Sequence, residues 1–285
     1  MAGRRTLASK VSAQGITLHT GVRARLQLWP APPGAGIRFH RADLSGTSDI
    51  PALWSHVAET RLGTVLKSHD GASVGMVEHL LSALAGAEID DCLIEVDGPE
   101  PPVLEGDALS YLSLIESAGT TSAEEARERI VLRKTVEVAS GPANAKLVPS
   151  ERAEYAVEID FQSAEIGHQE FHCVLSPEVF RREIAPAHTF GFLHEAEQLR
   201  AAGYGRGADL TNTLVIDGDR LLNPMLKRFP DEYARHKILD AIGDLKLAGR
   251  PISARYQGKR PGHALNNQLL HALFAQPDNY EIVAA

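Results

Sequence analysis

The sequence predicts an α+β fold built as two successive units, and three observations carry that reading. Runs of β-like residues come in blocks. Helical patterns follow each block instead of alternating with the strands, which argues against a doubly wound βαβ array. Between the two series lies SAGTTSAEEARER, a small, charged stretch that reads as a linker. The expected domains are residues 1–122 and 123–285, each long enough to bury its own core.

The elements follow in order. In the first unit ARLQLW, GIRFH and DCLIEVDG read as strands. Residues 74–86, VGMVEHLLSALAG, place Val74, Val77, Leu80, Leu81 and Leu84 on one side of a helix, with His79 opposite and Glu78 at the edge. A second helix is expected from Asp107 to Ser117. The second unit opens with strands at IVLRKTVEVAS, NAKLVPS, YAVEIDF and EFHCVL. Helices are expected at SPEVFRREI, where Ser176 caps and Pro177 takes the first position, and at LHEAEQLRAAG, ended by Gly203. Two more fall at residues 231–248 and at HALNNQLLHALFA. The GYGRG stretch lacks both GxGxxG and a Walker lysine and follows a helix, so it reads as a helix end running into a loop.

Composition excludes several classes. A net charge of −8 argues against a binder of nucleic-acid backbones. Only two cysteines occur, Cys92 and Cys173, each inside an apolar run, so neither a disulfide framework nor a cysteine zinc site is expected. The basic amino terminus has no apolar run of signal length behind it, and the most apolar stretch is too short to span a bilayer. A cytoplasmic protein without a transmembrane segment is expected.

The chemistry begins with RHKILDAIGDL, where His236, Asp240 and Asp244 recur at four-residue steps and form one row, off the stripe of Ile238, Leu239, Ala241, Ile242 and Leu245. A solvated helix face is the ordinary explanation. The sharper one is that a His and a carboxylate one turn apart offer two ligands to one metal. With His79 they would make three, leaving a position open for water, and Glu78, next in sequence to a ligand, could take a proton from that water. The zincin motif HExxH is absent. In PGHALNN, His263 opens a helix after a loop, either without a task or as a general acid. In AHTFGF the aromatics suit a core, while Thr189 could donate to an oxyanion. GITLHTG, with His19, reads as turn, strand and turn.

Taken together, GITLHTG, VEHLLSALAG, AHTFGF, HKILDAIGDL and GHALNN resemble, in order and spacing, the UDP-3-O-acyl-N-acetylglucosamine deacetylases, zinc amidases of lipid A biosynthesis in Gram-negative bacteria. The resemblance runs from about Arg5 to Tyr280. It implies two similar layered α/β sandwiches with the active site between them. It implies one Zn2+ per chain, or iron(II) in the cell, held by His79, His236 and Asp240. Glu78 matches the general base, His263 the general acid, Asp244 the carboxylate that orients that acid, and Thr189 the oxyanion hydroxyl. Lys237 matches a lysine facing the substrate diphosphate, and Phe161 and Phe190 match contacts to the nucleotide and the scissile region. Leu18, Leu62 and residues about 191–215 match an apolar passage for the 3-O-acyl chain, with His19 and Phe192 among the substrate contacts. Such a chain offers roughly 0.8 kcal/mol per buried methylene, enough to hold the distant amide in place. The expected partner is the acylated UDP-sugar alone, bound by a monomer.

The sequence also departs from the family pattern. His188 stands where Arg is usual, and Ala208 and Asp209 replace a Gly–Ser pair at the mouth of the passage. Glu105 and Asp107 stand where Asp and Ser are usual, far from the chemistry in sequence. None removes a ligand or a catalytic group. Two other readings stand beside the leading one: a zinc amidase for another N-acetyl sugar nucleotide, and a zinc-binding relative without turnover.

Overall fold

A computed structural model describes residues 3–285. The fold is α+β, and the strands come in blocks as the sequence predicts. In the first half a five-stranded sheet runs in the order Val11–Ile16, Arg23–Pro30, Cys92–Val96, Ile37–Arg41, Ile50–Pro51. It is antiparallel except where Ile37–Arg41 lies parallel to Cys92–Val96. Alternation in Arg23–Pro30 turns Ala24, Leu26 and Leu28 inward, the period that a one-sided sheet requires. Helices α1 (Glu78–Gly86) and α2 (Leu109–Ala118) complete this half.

The second half carries a seven-stranded sheet in which Ile252–Lys259 is the hub, paired with Ala143–Pro149, Glu154–Asp160 and Glu128–Leu132. The short helix α3 (Pro177–Val179), α4 (Leu193–Ala201) and α5 (Glu232–Lys246) precede the hub strand in the chain, and α6 (His263–Phe274) follows it. Ser176 caps as expected, its Oγ accepting from Val179 N at 3.1 Å. Beyond Val179 the chain widens into a π-type turn over Phe180–Ile184, so the single helix expected there is shorter. Among the described residues no helix is long and apolar enough to cross a membrane.

Two expectations need correction, and one open alternative is decided. The stretch read as a linker forms a strand, Thr120–Ala126, antiparallel to Gly3–Leu7, and leads directly into Glu128–Leu132. Its small, charged side chains are mostly exposed because the strand lies at a surface, where backbone pairing rather than burial holds it. Helix α1 starts at Glu78, not at residue 74, because Ser73–Val74 pairs in a small sheet and Met76 takes φ 54°. The polar row of α5 is not solvated: His236, Asp240 and Asp244 are as deeply buried as Ile238 and Leu239 on the opposite side.

The last point follows from packing. Helix α5 lies between the two halves, its apolar side on the C-terminal sheet and its polar row toward α1. The two helices approach so closely that a Cβ at Gly243 would fall 1.9 Å from the Glu78 carbonyl oxygen. Glycine at that point costs about 1 kcal/mol of helix propensity and admits the contact on which the site depends.

Candidate metal centre and its surroundings

Helix α1 begins with Glu78 and His79, and α5 brings His236 and Asp240 to face them. His79 Nε2 lies 3.6 Å and His236 Nε2 3.4 Å from Asp240 Oδ1. These are the residues that form a candidate metal cluster among the described ones. His236 Nδ1 lies 3.1 Å from the carbonyl oxygen of Ala187, which can only accept, so that nitrogen donates and Nε2 keeps its lone pair. Burial, reinforced by His79 and Lys237 against the pull of Asp240, holds His236 down at about 3, hence neutral. Burial raises the Asp240 carboxyl, yet His236 and Lys237 outweigh it and keep the group well below the ordinary carboxylate value.

Asp240 Oδ1 is buried and has no hydrogen-bond partner. An ionised oxygen left so, between two imidazole nitrogens, would be costly unless a cation sits among them. Nitrogen and oxygen ligands about 2.1 Å from a tetrahedral ion lie about 3.4 Å apart, close to the spacings seen here. The donor set therefore fits a metal ion.

Beside the cluster, Glu78 Oε1 stands 3.9 Å from His263 Nε2. Burial raises the Glu78 carboxyl above its ordinary value, more than His263 and His79 lower it. Burial alone would depress His263, but Asp244 and Glu78 carry its ring up to about 10. The reason is direct: His263 Nδ1 donates to Asp244 Oδ2 at 2.9 Å. Asp244 also accepts from Thr64 Oγ1 at 2.6 Å and Asn266 Nδ2 at 2.8 Å, and Tyr256 donates its hydroxyl to Asn266 Oδ1 at 2.6 Å. The site thus sets a buried His–His–Asp donor set beside one carboxyl of raised proton affinity and one imidazole held cationic, each in a different environment.

The family model for UDP-3-O-acyl N-acetylglycosamine deacetylase matches residues 4–275. The chain belongs to that family. Curated relatives named UDP-3-O-acyl-N-acetylglucosamine deacetylase include one from Myxococcus xanthus, 46% identical over 99% of this chain and 90% of its own length. Another, from Phenylobacterium zucineum, is 44% identical over 94% of this chain and 92% of its own. A third, from an Anaeromyxobacter, is 42% identical over 98% and 91%. The deacetylase family comprises metalloenzymes, in keeping with the cluster at His79, His236 and Asp240.

The other residues singled out in the sequence of this deacetylase-family chain fall into separate groups, of which Lys237 and Phe190 reach the cluster. Lys237 turns its ammonium onto Asp240 Oδ2 at 2.8 Å. Phe161, Phe190 and Phe192 form one aromatic group, with Phe161 5.9 Å from each of the other two, and Phe190 reaches 6.0 Å from His236. Thr189, half-buried, is anchored through its backbone to Gly106 O and Leu214 N, both at 2.9 Å. Leu18, Leu62 and the 191–215 segment meet at His19. The His19 ring accepts from Gly205 N at 3.2 Å, so its Nε2 donates to Leu62 O at 3.0 Å. Gly207 N bonds Leu18 O at 3.0 Å, so close that a Cβ at 207 would lie 2.1 Å from Thr17 O. His19 therefore ties loops together with both ring nitrogens.

The departures also resolve. His188 is fully buried, and its amide and Nδ1 both bond Glu232 Oε1, at 2.9 and 2.7 Å. Asp209 spends its carboxylate on its own turn, accepting from Thr211 N at 2.7 Å and Thr211 Oγ1 at 2.6 Å. Asp107 accepts from Arg228 at 2.9 Å, and Glu105 pairs with the same Arg at 3.3 Å. Far from the chemistry in sequence, residues 105–107 nonetheless hold the Thr189 backbone through Gly106. Thr64, Asn266, Tyr256 and the Ala187 carbonyl were not anticipated. Asn266, one turn beyond His263 on α6, had a detectable spacing signal; the others had none.

Proposed function

We propose that the protein removes the N-acetyl group of a UDP-3-O-acyl-N-acetylglucosamine, releasing acetate and a free 2-amino sugar, the committed step of lipid A biosynthesis. The observation that carries the reading is the unpartnered Asp240 oxygen between two imidazoles, set beside the Glu78–His263 pair. We take the metal to be zinc, which the all-nitrogen-and-oxygen, three-residue donor set suits. When bound, the ion supplies Lewis acidity to the acetamide carbonyl and lowers the pKa of water.

The side chains do the rest. Glu78, its affinity for a proton raised by burial, takes one from the attacking water as oxygen adds to the acetyl carbon. Thr189 is proposed to donate to the oxygen that gains charge. The C–N bond breaks as His263, cationic near neutrality, gives its Nε2 proton to the nitrogen, which otherwise could not leave. Asp244 holds the ring's other nitrogen throughout. The exchange leaves Glu78 protonated and His263 neutral, and one proton passed from the carboxyl to the ring resets both.

Binding residues are proposed on the same basis. Phe161, Phe190 and Phe192 present aromatic faces to the nucleotide and the sugar. Lys237, 21% exposed at its side chain, meets the diphosphate while neutralising Asp240. The exposed Ile16, Leu62, Leu193 and Leu210 belong to the segments that meet around His19 and suit an acyl chain. We take the chain to comprise two domains that divide near residue 122, within the Thr120–Ala126 strand. The reading takes the protein to be a cytoplasmic monomer with no nucleic-acid partner.

The test is acetate release by purified, zinc-replete protein from acylated and unacylated UDP-N-acetylglucosamine, with a chelated sample alongside. Release only with metal, and far faster with the acyl chain, is expected. Equal rates on both substrates would turn the reading toward another N-acetyl sugar nucleotide. Zinc binding without release from either would turn it toward a relative without turnover.

A further inference from the structure

Thr64 is 1% exposed and stands at the entrance to strand Val65–Lys67. Each of its polar groups is engaged. Its amide donates to Glu78 Oε2 at 3.0 Å, its carbonyl accepts from Val77 N at 3.4 Å, and its hydroxyl meets Asp244 Oδ1 at 2.6 Å. In that last contact the hydroxyl donates, since an ionised carboxylate can only accept.

One residue therefore touches both arms of the proton machinery, whose carriers come from opposite halves of the chain. By occupying Glu78 Oε2, the amide leaves Oε1, the oxygen that faces His263, as the one free to take a proton. The hydroxyl occupies Asp244 Oδ1, while Oδ2 serves His263 and Asn266. With all these donors in place the carboxylate cannot turn about its Cβ–Cγ bond. Without the hydroxyl, Oδ1 is buried and unpaired, and turning to recover a donor pulls Oδ2 from the imidazole.

We propose that Thr64 is a positioning residue that holds Glu78 and the Asp244–His263 pair in fixed relative orientation. The proposal rests on the roles given above to Glu78 and His263. It predicts that Thr64→Val, which keeps the shape and the amide, lowers kcat by about 10- to 100-fold, the cost of one hydrogen bond to a buried charge. KM and metal affinity stay unchanged, because neither the substrate contacts nor the ligands are touched. Thr64→Ser returns kcat to within about threefold of wild type, since it restores the donor.

A second readout needs no turnover. In protein labelled with 15N-histidine and free of substrate, the Nδ1 proton of His263 resonates downfield, and His263→Ala assigns it. The proposal expects Thr64→Val to shift or broaden that signal and Thr64→Ser to preserve it; should the valine variant fold poorly, Thr64→Ala replaces it. An unmoved signal with unchanged kcat, or a serine variant as impaired as the valine one, overturns the proposal. Equal losses in metal affinity and KM also overturn it, since they mark general damage. If the signal responds but wild-type protein releases no acetate, the deacetylase reading fails and the positioning role stands.

Discussion

Replacing Asp244 by Asn tests the acid arm. Asp244 is buried and has two oxygens serving Thr64, Asn266 and His263. The amide keeps the volume but removes the charge that, with Glu78, carries the His263 ring up to about 10 from its ordinary 6.5. If the ring returns to that ordinary value, about 3% of it is protonated at pH 8, and kcat there falls about 30-fold. At pH 6 most of the ring is still charged, and the loss shrinks below about twofold. The assay is acetate release from pH 5.5 to 10, with metal content measured at each point; the ligands are untouched, so metal should be retained. The descending limb of the kcat profile should move to lower pH in the variant. A limb left in place, with a uniform loss across the range, would refute the assignment of His263 as the acid that Asp244 sustains. Stability offers a parallel check. Because the folded ring binds its proton more tightly than the unfolded one, its stabilisation is complete below about pH 6.5 and is lost as pH rises through about 10. The gap in urea midpoint between wild type and variant should therefore be widest in mild acid and should close at alkaline pH.

Further outcomes follow from the same geometry. Asp240→Ala removes a candidate ligand and should weaken metal affinity by more than the roughly 10- to 100-fold that an outer partner costs, as measured by chelator competition. Glu78→Gln should keep its metal while losing about 100- to 10,000-fold in kcat; retention of full activity would remove Glu78 from the mechanism. Gly243→Ala puts a Cβ 1.9 Å from the Glu78 carbonyl oxygen, so the two central helices must part at a cost of about 3 kcal/mol or more, seen as a lowered Tm together with lost metal affinity. Phe161→Ala opens the aromatic group and should raise KM more than it lowers kcat, by competition with free UDP.

Much of the candidate site was legible because local spacing marks its residues and the family resemblance implies their roles. His236, Asp240 and Asp244 lie a helical turn apart, and Glu78 precedes His79 directly, so one helix pattern exposes each group. What no spacing could convey was their depth. A polar row opposite an apolar stripe normally faces water, and α5 is buried on both sides only because α1 crosses it from the other half of the chain. Thr64 was illegible for a related reason: its partner Asp244 lies 180 positions away, and nothing in RLGTVL sets it apart. The Ala187 carbonyl belongs to the backbone, on which the identity of the side chain is silent. The composition of Thr120–Ala126 suggests a linker because it reports exposure, whereas the strand's conformation is imposed by pairing with Gly3–Leu7, more than a hundred positions away.

The candidate ligands come from both sides of a seam, His79 from α1 and His236 and Asp240 from α5. Occupancy of such a centre is thermodynamically a rivet. Whatever free energy the ion gains on binding is withheld from any state in which the halves part, about 4.1 kcal/mol at a free ion concentration a thousand times Kd. The reverse linkage holds equally, so stripping the ion should release the seam before it disturbs either sheet. Amide protons at the α1–α5 contact would then exchange faster in chelator while those of the Arg23–Pro30 and Ile252–Lys259 strands hold. The metal centre would thus set the lifetime of the closed molecule as well as its chemistry.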